Sequence, residues 1–177
     1  MRHPHARNED APAADGIESW LAGRLPDDWF ASAPEVSVDR DEIVVVGQIP
    51  APEVAGDDAA KAEALAGRIT RFREQTREAR MKIAREAEHR YGRKVAWGVE
   101  AGETRELFTT LSVPVMTRLR QPERLVLDTL VQAGVARSRS DALAWCVKLV
   151  GRNTEAWLGE LRTAMESVQQ VRGRGPA

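Results

Sequence analysis

Basic residues at the start of a predicted helix, in the last third of the chain, have the types and spacing to bind phosphate. The sequence there runs Arg137-Ser138-Arg139-Ser140. The first turn of a helix presents free backbone N–H groups and the positive end of its dipole, which together favour an anion. Earlier in the chain Arg118 stands in a run of alternating residues, and a guanidinium can form two hydrogen bonds to a guanine edge. The chemistry that these residues offer is recognition of a nucleic acid.

A second set of basic residues lies on the outer faces of a predicted long helix. Arg73, Arg77 and Arg80 form a secondary candidate surface for nucleic acid, because they would face phosphates from one side of that helix. Two other interpretations stay open. The arginines can pair with glutamates three or four residues away, such as Glu74 and Glu78, or the acidic N-terminal part of the chain can pack beside them.

The composition places the chain among globular proteins with segregated charge. Of 177 residues 42% are hydrophobic and 30% are charged, with a formal net charge of −1. Residues 1–67 carry a net charge of −9, residues 68–94 of +6 and residues 95–177 of +2. The overall charge therefore indicates nothing about a polyanionic partner, whereas the local positive charge of residues 68–94 is compatible with one.

The sequence offers little for catalysis, metal binding or membrane insertion. Cys146 is the only cysteine, and two of the three histidines stand in the first five positions. The sequence has no glycine-rich phosphate loop, no two carboxylates at a spacing that indicates a catalytic pair, and no motif of a catalytic nucleophile. No apolar run approaches the length of a membrane span, and the N-terminus lacks the apolar core of a secretory signal. We therefore expect a cytoplasmic protein that is not an enzyme and needs no cofactor or metal.

The first two thirds of the chain predict an α+β domain over residues 16–112, after a disordered tail over 1–15. Alternating residues and a β-branched run predict a hairpin over 36–47, and a second alternating pattern around Trp97 and Leu107 predicts another hairpin over 95–111. Between them, apolar residues at spacings of three and four predict one long helix over 59–91 that stops at Gly92. We expect an antiparallel sheet with this helix on one face, in the order hairpin, helix, hairpin. Three large aromatic residues are too many for a free tail, so we expect their segment to dock on this domain: Trp20, Trp29 and Phe30.

The remainder predicts a helical module over residues 113–171, followed by a frayed end over 172–177. A strand-like run over 113–119 leads into a helix with Pro122 at its first position, closed by Gly134. Ser138 caps the next helix. A last helix begins near Asn153 and carries four apolar residues on one face: Trp157, Leu158, Leu161 and Met165.

This C-terminal stretch resembles the ribbon-helix-helix family of bacterial repressors and antitoxins. The residues that carry the resemblance run from Leu127 to Leu143, with a leucine-containing helix, Gly134, and then Ser138-Arg139-Ser140-Asp141-Ala142-Leu143 at the entry to the second helix. The resemblance implies a homodimer in which two chains pair their strands into an antiparallel ribbon that enters the major groove. Alternation then points Met116 and Arg118 outward to read bases.

The resemblance assigns the basic helix start to the phosphates, with Arg137, Ser138, Arg139 and Ser140 positioning the protein on the duplex. Some residues depart from the family pattern. Pro114 lacks an N–H at the start of the strand, and Arg120 and Gln121 stand where the family often has proline and an acidic residue. An alternative therefore stays open, in which residues 113–119 form the last strand of the first domain, and this arrangement would remove the DNA-reading surface.

These observations predict a dimeric, sequence-specific protein that binds double-stranded DNA, regulates transcription and so associates with the nucleoid. The N-terminal domain would set oligomerisation or bind an effector or a protein partner. Two rival functions remain. The chain can be the antitoxin of a toxin–antitoxin pair, or an RNA-binding or assembly factor that uses the arginine-rich helix while the C-terminal helices only dimerise. More loosely, the chain resembles uncharacterised proteins of high-GC actinobacteria.

Overall fold

The computed structural model describes residues 14–174, which form two compact units with the boundary between Pro114 and Val115. Most of the predicted tail, residues 1–13, and the last three residues, 175–177, lie outside this range. No helix within it is long and apolar enough to cross a membrane.

The first unit is built on a four-stranded sheet in the order β1-β2-β3-β4. The strands are β1 (Glu35–Val38), β2 (Glu42–Gln48), β3 (Lys94–Ala101) and β4 (Thr104–Leu107). Both predicted hairpins are present, since β1 pairs antiparallel with β2, and β3 with β4. The α+β class and the order hairpin, helix, hairpin are thus confirmed.

The sheet is mixed, and the expectation of an antiparallel sheet was wrong at its centre. Strands β2 and β3 pair in parallel, from Glu42 opposite Lys94 to Gln48 opposite Glu100. A parallel pair needs a long crossover connection, usually helical. The helical segment between the two hairpins provides it, because it carries the chain back to the end of the sheet where β2 began.

That segment is two helices, α2 (Asp58–Gln75) and α3 (Arg77–Tyr91), where the sequence predicted one. Asp57 caps the first by accepting the N–H of Ala60 at 2.9 Å, and Gly92, at a φ of 65°, ends the second as predicted. The break falls at Thr76, whose hydroxyl donates to the carbonyl of Phe72 at 2.7 Å. A side-chain donor to a carbonyl in the preceding turn is a known cause of helix distortion.

The core of the first unit is an aromatic cluster between the helices and the sheet. The indole of Trp29 meets the rings of Phe72 and Trp97 edge-on, each at a centroid distance of 6.1 Å. A short helix, α1 (Ile17–Arg24), buries Ile17 and Leu21 in the same cluster. The expectation that Trp20, Trp29 and Phe30 dock on this domain is confirmed, since all three pack in or against the cluster.

The second unit consists of the helices α4 (Gln121–Gln132), α5 (Arg139–Asn153) and α6 (Glu155–Arg174). Gly134, at a φ of 73°, makes the turn after α4, and Ser138 caps α5 as predicted. Its core is small, with Leu127, Ala136 and Ala142 as the buried residues. Residues 113–119 belong to no strand of the sheet, so the alternative in which they extend the first domain was wrong.

Substitutions at two glycines of the first unit test how tightly its side chains pack. A Cβ at Gly47, in β2, would lie 2.1 Å from the Cδ1 atom of Phe30, whereas one at Gly67, in α2, would meet nothing within 4 Å. We expect Gly47→Ala to cost about 1–3 kcal/mol of unfolding free energy through overpacking. Gly67→Ala is the matched control and should gain about 0.5–1 kcal/mol, because alanine loses less backbone entropy in a helix. Urea unfolding measures both, and a Gly47→Ala variant as stable as the wild type would contradict this packing.

Candidate nucleic-acid interface

The extended segment before α4 is open to solvent along most of its length. We call residues 113–119 the ribbon segment. Val115 is 86% exposed and Met116 is 90% exposed. Arg118 is also exposed, and within the described residues its guanidinium has no hydrogen bond or ion pair. With Leu119 inward, alternation also predicts that Val115 and Thr117 face inward, but of these three only Leu119 packs against the small core of the unit.

The backbone of the ribbon segment lacks partners. Within the described residues, the N–H and C=O groups of residues 113–118 make no hydrogen bond to the protein. At Leu119 the segment is tied to α4, because Nη1 of Arg124 donates to the Leu119 carbonyl at 2.8 Å. No local sequence pattern marks Arg124 for this contact, because the path of the chain into α4 decides it.

A groove runs beside the ribbon segment. We call it the ribbon groove; it is open, with a volume of about 690 Å³. Leucines of α4 and α5 and three arginines line it together with the segment itself. The lining residues are Val115, Met116, Thr117, Arg118, Leu119, Arg124, Leu127, Arg139, Ser140 and Leu143. The structure thus brings the predicted base-reading residues to the same groove as part of the predicted phosphate-binding set.

Side chains from both sides of the cap fix the start of α5. The hydroxyl of Ser138 accepts the N–H of Asp141 at 3.2 Å. In return, Oδ2 of Asp141 accepts the backbone N–H of Arg137 at 3.0 Å and its Nε at 3.4 Å. The pKa of Asp141 is lowered, first by the backbone hydrogen bond and then by the side chain of Arg137. Ser138 therefore has a capping role, while Ser140 is exposed and its hydroxyl has no hydrogen bond to any residue in 14–174.

Arg139 is held in a fixed orientation by Asp128 of α4. Its Nε and Nη2 donate to the two carboxylate oxygens at 2.6 and 2.7 Å. This hydrogen-bonded pair lowers the pKa of Asp128 and raises the pKa of Arg139. The two N–H groups of Nη1 take no part in the pair and stay available to an anion. Asp128 was missed because it lies eleven residues from Arg139, and only the packing of α4 on α5 brings them together.

The secondary surface on the first unit is smaller than predicted. Arg73 and Arg77 are exposed, but Arg80 is 6% exposed, so its assignment to a surface was wrong. Its Nη2 donates to the carbonyl of Arg73 at 2.7 Å and its Nε to the hydroxyl of Thr76 at 2.9 Å. The guanidinium lies 4.8 Å from the ring centre of Phe108. Burial, followed by the charges of Arg73 and Arg77, lowers the pKa of Arg80 to about 10. The side chain of Arg80 therefore supplies a hydrogen-bond donor to the Arg73 carbonyl at the helix break.

Within residues 14–174, no three side chains of the metal-binding types lie close enough together to hold an ion. Cys146 is a free, half-buried thiol beside the core of the second unit. These observations add no catalytic or metal centre to the groove and the helix start described above.

Comparison with known proteins places the whole chain in one family. Residues 15–107 match the family described as Rv1265-like protein, N-terminal domain, and residues 120–172 match the Mb1296 C-terminal domain. The chain is 61% identical over 187 residues to the uncharacterized proteins Mb1296 of Mycobacterium bovis and Rv1265 of Mycobacterium tuberculosis. These alignments cover 99% of the chain and 82% of each relative. No solved structure matches with statistical significance.

The expected resemblance to actinobacterial proteins is confirmed by these mycobacterial relatives. Neither matched family is described as ribbon-helix-helix, and that finer resemblance stays a prediction.

The two serines at the start of α5 are expected to differ in their effect on stability. Ser138→Ala removes the cap and should cost about 1 kcal/mol of unfolding free energy. Ser140→Ala is the matched control and should change the free energy by less than about 0.5 kcal/mol, since no described residue bonds the exposed hydroxyl of Ser140. Urea unfolding at one protein concentration compares them, and equal losses would contradict the capping geometry.

The pair of Asp128 and Arg139 predicts a dependence of stability on pH. The pKa of Asp128 is lower in the folded chain than in the unfolded one, so its contribution is present above the unfolded value of about 3.9. It is lost as the pH falls through the folded value. The stability difference between the wild type and Asp128→Asn should therefore be full at pH 6 and vanish in acid. Arg139→Gln should remove the same component; a difference constant with pH in urea unfolding would contradict the pairing.

Proposed function

We propose that this chain, which belongs to the family of Rv1265-like proteins, is a homodimeric, sequence-specific DNA-binding protein of the ribbon-helix-helix kind. Its role is transcriptional regulation in the cytoplasm, on the nucleoid. The observation that carries the proposal is the exposed ribbon segment, residues 113–119. Within the described residues the backbone of 113–118 has no hydrogen-bond partner, and the segment lines one groove with Arg124 and Arg139.

An extended backbone without a partner is the feature that pairing with a second copy would complete. Two ribbon segments related by a two-fold axis can exchange backbone hydrogen bonds as an antiparallel pair. The side of the ribbon that carries Val115 and Thr117 would then turn towards the helices, where Leu119 already packs. Pro114 stands at the edge of the paired stretch, where its missing N–H costs nothing.

The small core of the second unit also favours a dimer. Three of its hydrophobic residues are buried, while many others are exposed, including Leu125 (57%), Val126 (56%) and Val147 (65%). A module of about sixty residues rarely supplies enough burial to fold alone with so few buried side chains. A second copy seated on α4 and α5 would cover such residues.

Charge and groove geometry support DNA as the ligand of this dimer. Residues 115–177 carry ten basic and six acidic side chains. A two-stranded ribbon fits the major groove, where each base pair has its own pattern of donors and acceptors. The free guanidinium of Arg118 would read bases together with Met116. At the start of α5, Arg137 and the oriented Arg139 would contact phosphates.

The alternative hypothesis, that the chain binds RNA through the arginine-rich helices, has less support. It depends on three arginines of the first unit, of which Arg80 is buried and bonded to its own chain. Arg73 and Arg77 remain exposed and provide the variant that separates the two functions.

Selection of random duplex DNA by the purified full-length protein tests the proposal. We expect an enriched palindrome with the wild type. Arg118→Ala should weaken binding to the best site by about 1–3 kcal/mol while leaving binding to unrelated DNA nearly unchanged. The matched control is Arg73→Ala with Arg77→Ala, which should select the same palindrome. No enrichment at low salt, or a loss confined to the control, would overturn the proposal.

A further inference from the structure

The last helix, α6, has an apolar side that the described part of the chain leaves exposed. Along this helix Trp157, Leu161, Met165, Val168 and Val171 recur at spacings of three and four, and they are between 44% and 64% exposed. At 3.6 residues per turn they lie on one side of the helix. We call them the α6 stripe. None of them belongs to either buried cluster of the described residues.

The stripe is long and continuous. From Trp157 to Val171 it extends about 21 Å, at a rise of about 1.5 Å per residue. Beside its start, Leu158 forms an apolar groove with Cys146, Val147 and Val150 of α5. An exposed row of large apolar side chains of this length marks an interaction surface.

The sizes of its side chains suit a second copy of the same helix in the opposite direction. Trp157 and Val171 are each seven residues from Ala164, near the middle of the stripe. When two helices pair antiparallel about Ala164, each tryptophan falls opposite the partner's valine, so a large side chain meets a small one. A parallel pair would set the two tryptophans against each other at one end and leave small residues at the other, which packs less evenly.

Charge favours the same arrangement. Glu155, Glu160 and Arg162 stand in the first half of α6, and Glu166, Arg172 and Arg174 stand in the second, so the two halves carry net charges of −1 and +1. An antiparallel pair brings the net negative half of each helix against the net positive half of the other and opposes the two helix dipoles. A parallel pair would bring like charges together.

We propose that α6 pairs antiparallel with α6 of a second copy of this chain through the α6 stripe. This contact uses no residue of the ribbon segment or of the α5 start, and it goes beyond the proposed DNA binding without depending on it. Each copy would then hold another through a surface separate from its DNA-reading one.

Disulfide cross-linking of the full-length chain tests this pairing. In a Cys146→Ala background, Ala164→Cys places a thiol at the centre of the stripe and Val171→Cys places one near its end. An antiparallel pair brings the two Cys variants at 164 together and keeps those at 171 apart, so mild oxidation should cross-link the first variant and not the second. Cross-linking of both would overturn the orientation, and cross-linking of neither would overturn the pairing.

A charge inserted into the stripe provides the control on specificity. Leu161→Glu, added to Ala164→Cys, should reduce the cross-linked fraction about tenfold or more, because a carboxylate would be buried against apolar side chains. Gln170→Glu adds the same charge on the other side of the helix and should leave cross-linking unchanged. Equal yields with Leu161→Glu would overturn the proposal, whether or not the protein binds DNA.

Discussion

The need of every backbone N–H and C=O group for a hydrogen-bond partner is the constraint on which the second unit depends. Water satisfies these groups in the ribbon segment of a single chain, but it cannot do so once the adjoining apolar side chains are covered. The end of the segment is already fixed, since Arg124 holds the Leu119 carbonyl and Leu119 packs on the small core. A second copy that supplies the missing partners would also cover the exposed side chains.

The two units solve the burial problem in different ways. The first closes its core within one chain, where α1 covers the aromatic cluster and the crossover helices cover the sheet. Even the break between α2 and α3 is satisfied internally, because Arg80 bonds the carbonyl that the break leaves free and stacks on Phe108. The second unit exposes arginines such as Arg118 and Arg139 and much of its apolar surface. Under the proposed function a second copy would cover part of this surface, whereas the first unit buries its core within one chain.

Local sequence patterns predicted the elements well and their partners poorly. Alternating residues marked both hairpins, and Gly92, Gly134 and Ser138 marked helix ends where the structure has them. The parallel pairing of β2 with β3 is set by the crossover, which alternation does not report. Thr76 fits the apolar stripe and is neither glycine nor proline, so the helix break left no signal.

Charged residues were the hardest to place. An arginine is expected at the surface, yet Arg80 is buried, where it donates to the Arg73 carbonyl at the helix break and lies over the ring of Phe108. The pair of Asp128 and Arg139 joins two helices, and its carboxylate and guanidinium meet only after α4 packs on α5. Met116 and Arg118, the predicted base-reading residues, are exposed, but so are Val115 and Thr117, so the alternation of inward and outward side chains along the ribbon segment stays a prediction.

Hydrogen–deuterium exchange at the amides of residues 115–118 tests the central claim most directly. If the ribbon segment pairs with a second copy, alternate amides will exchange slowly at high protein concentration, and the protection will fall on dilution as dimers separate. Exchange at the rate of an unstructured peptide, at concentrations where the protein is dimeric by mass, would contradict the account and leave the second unit as a dimerisation module without a ribbon.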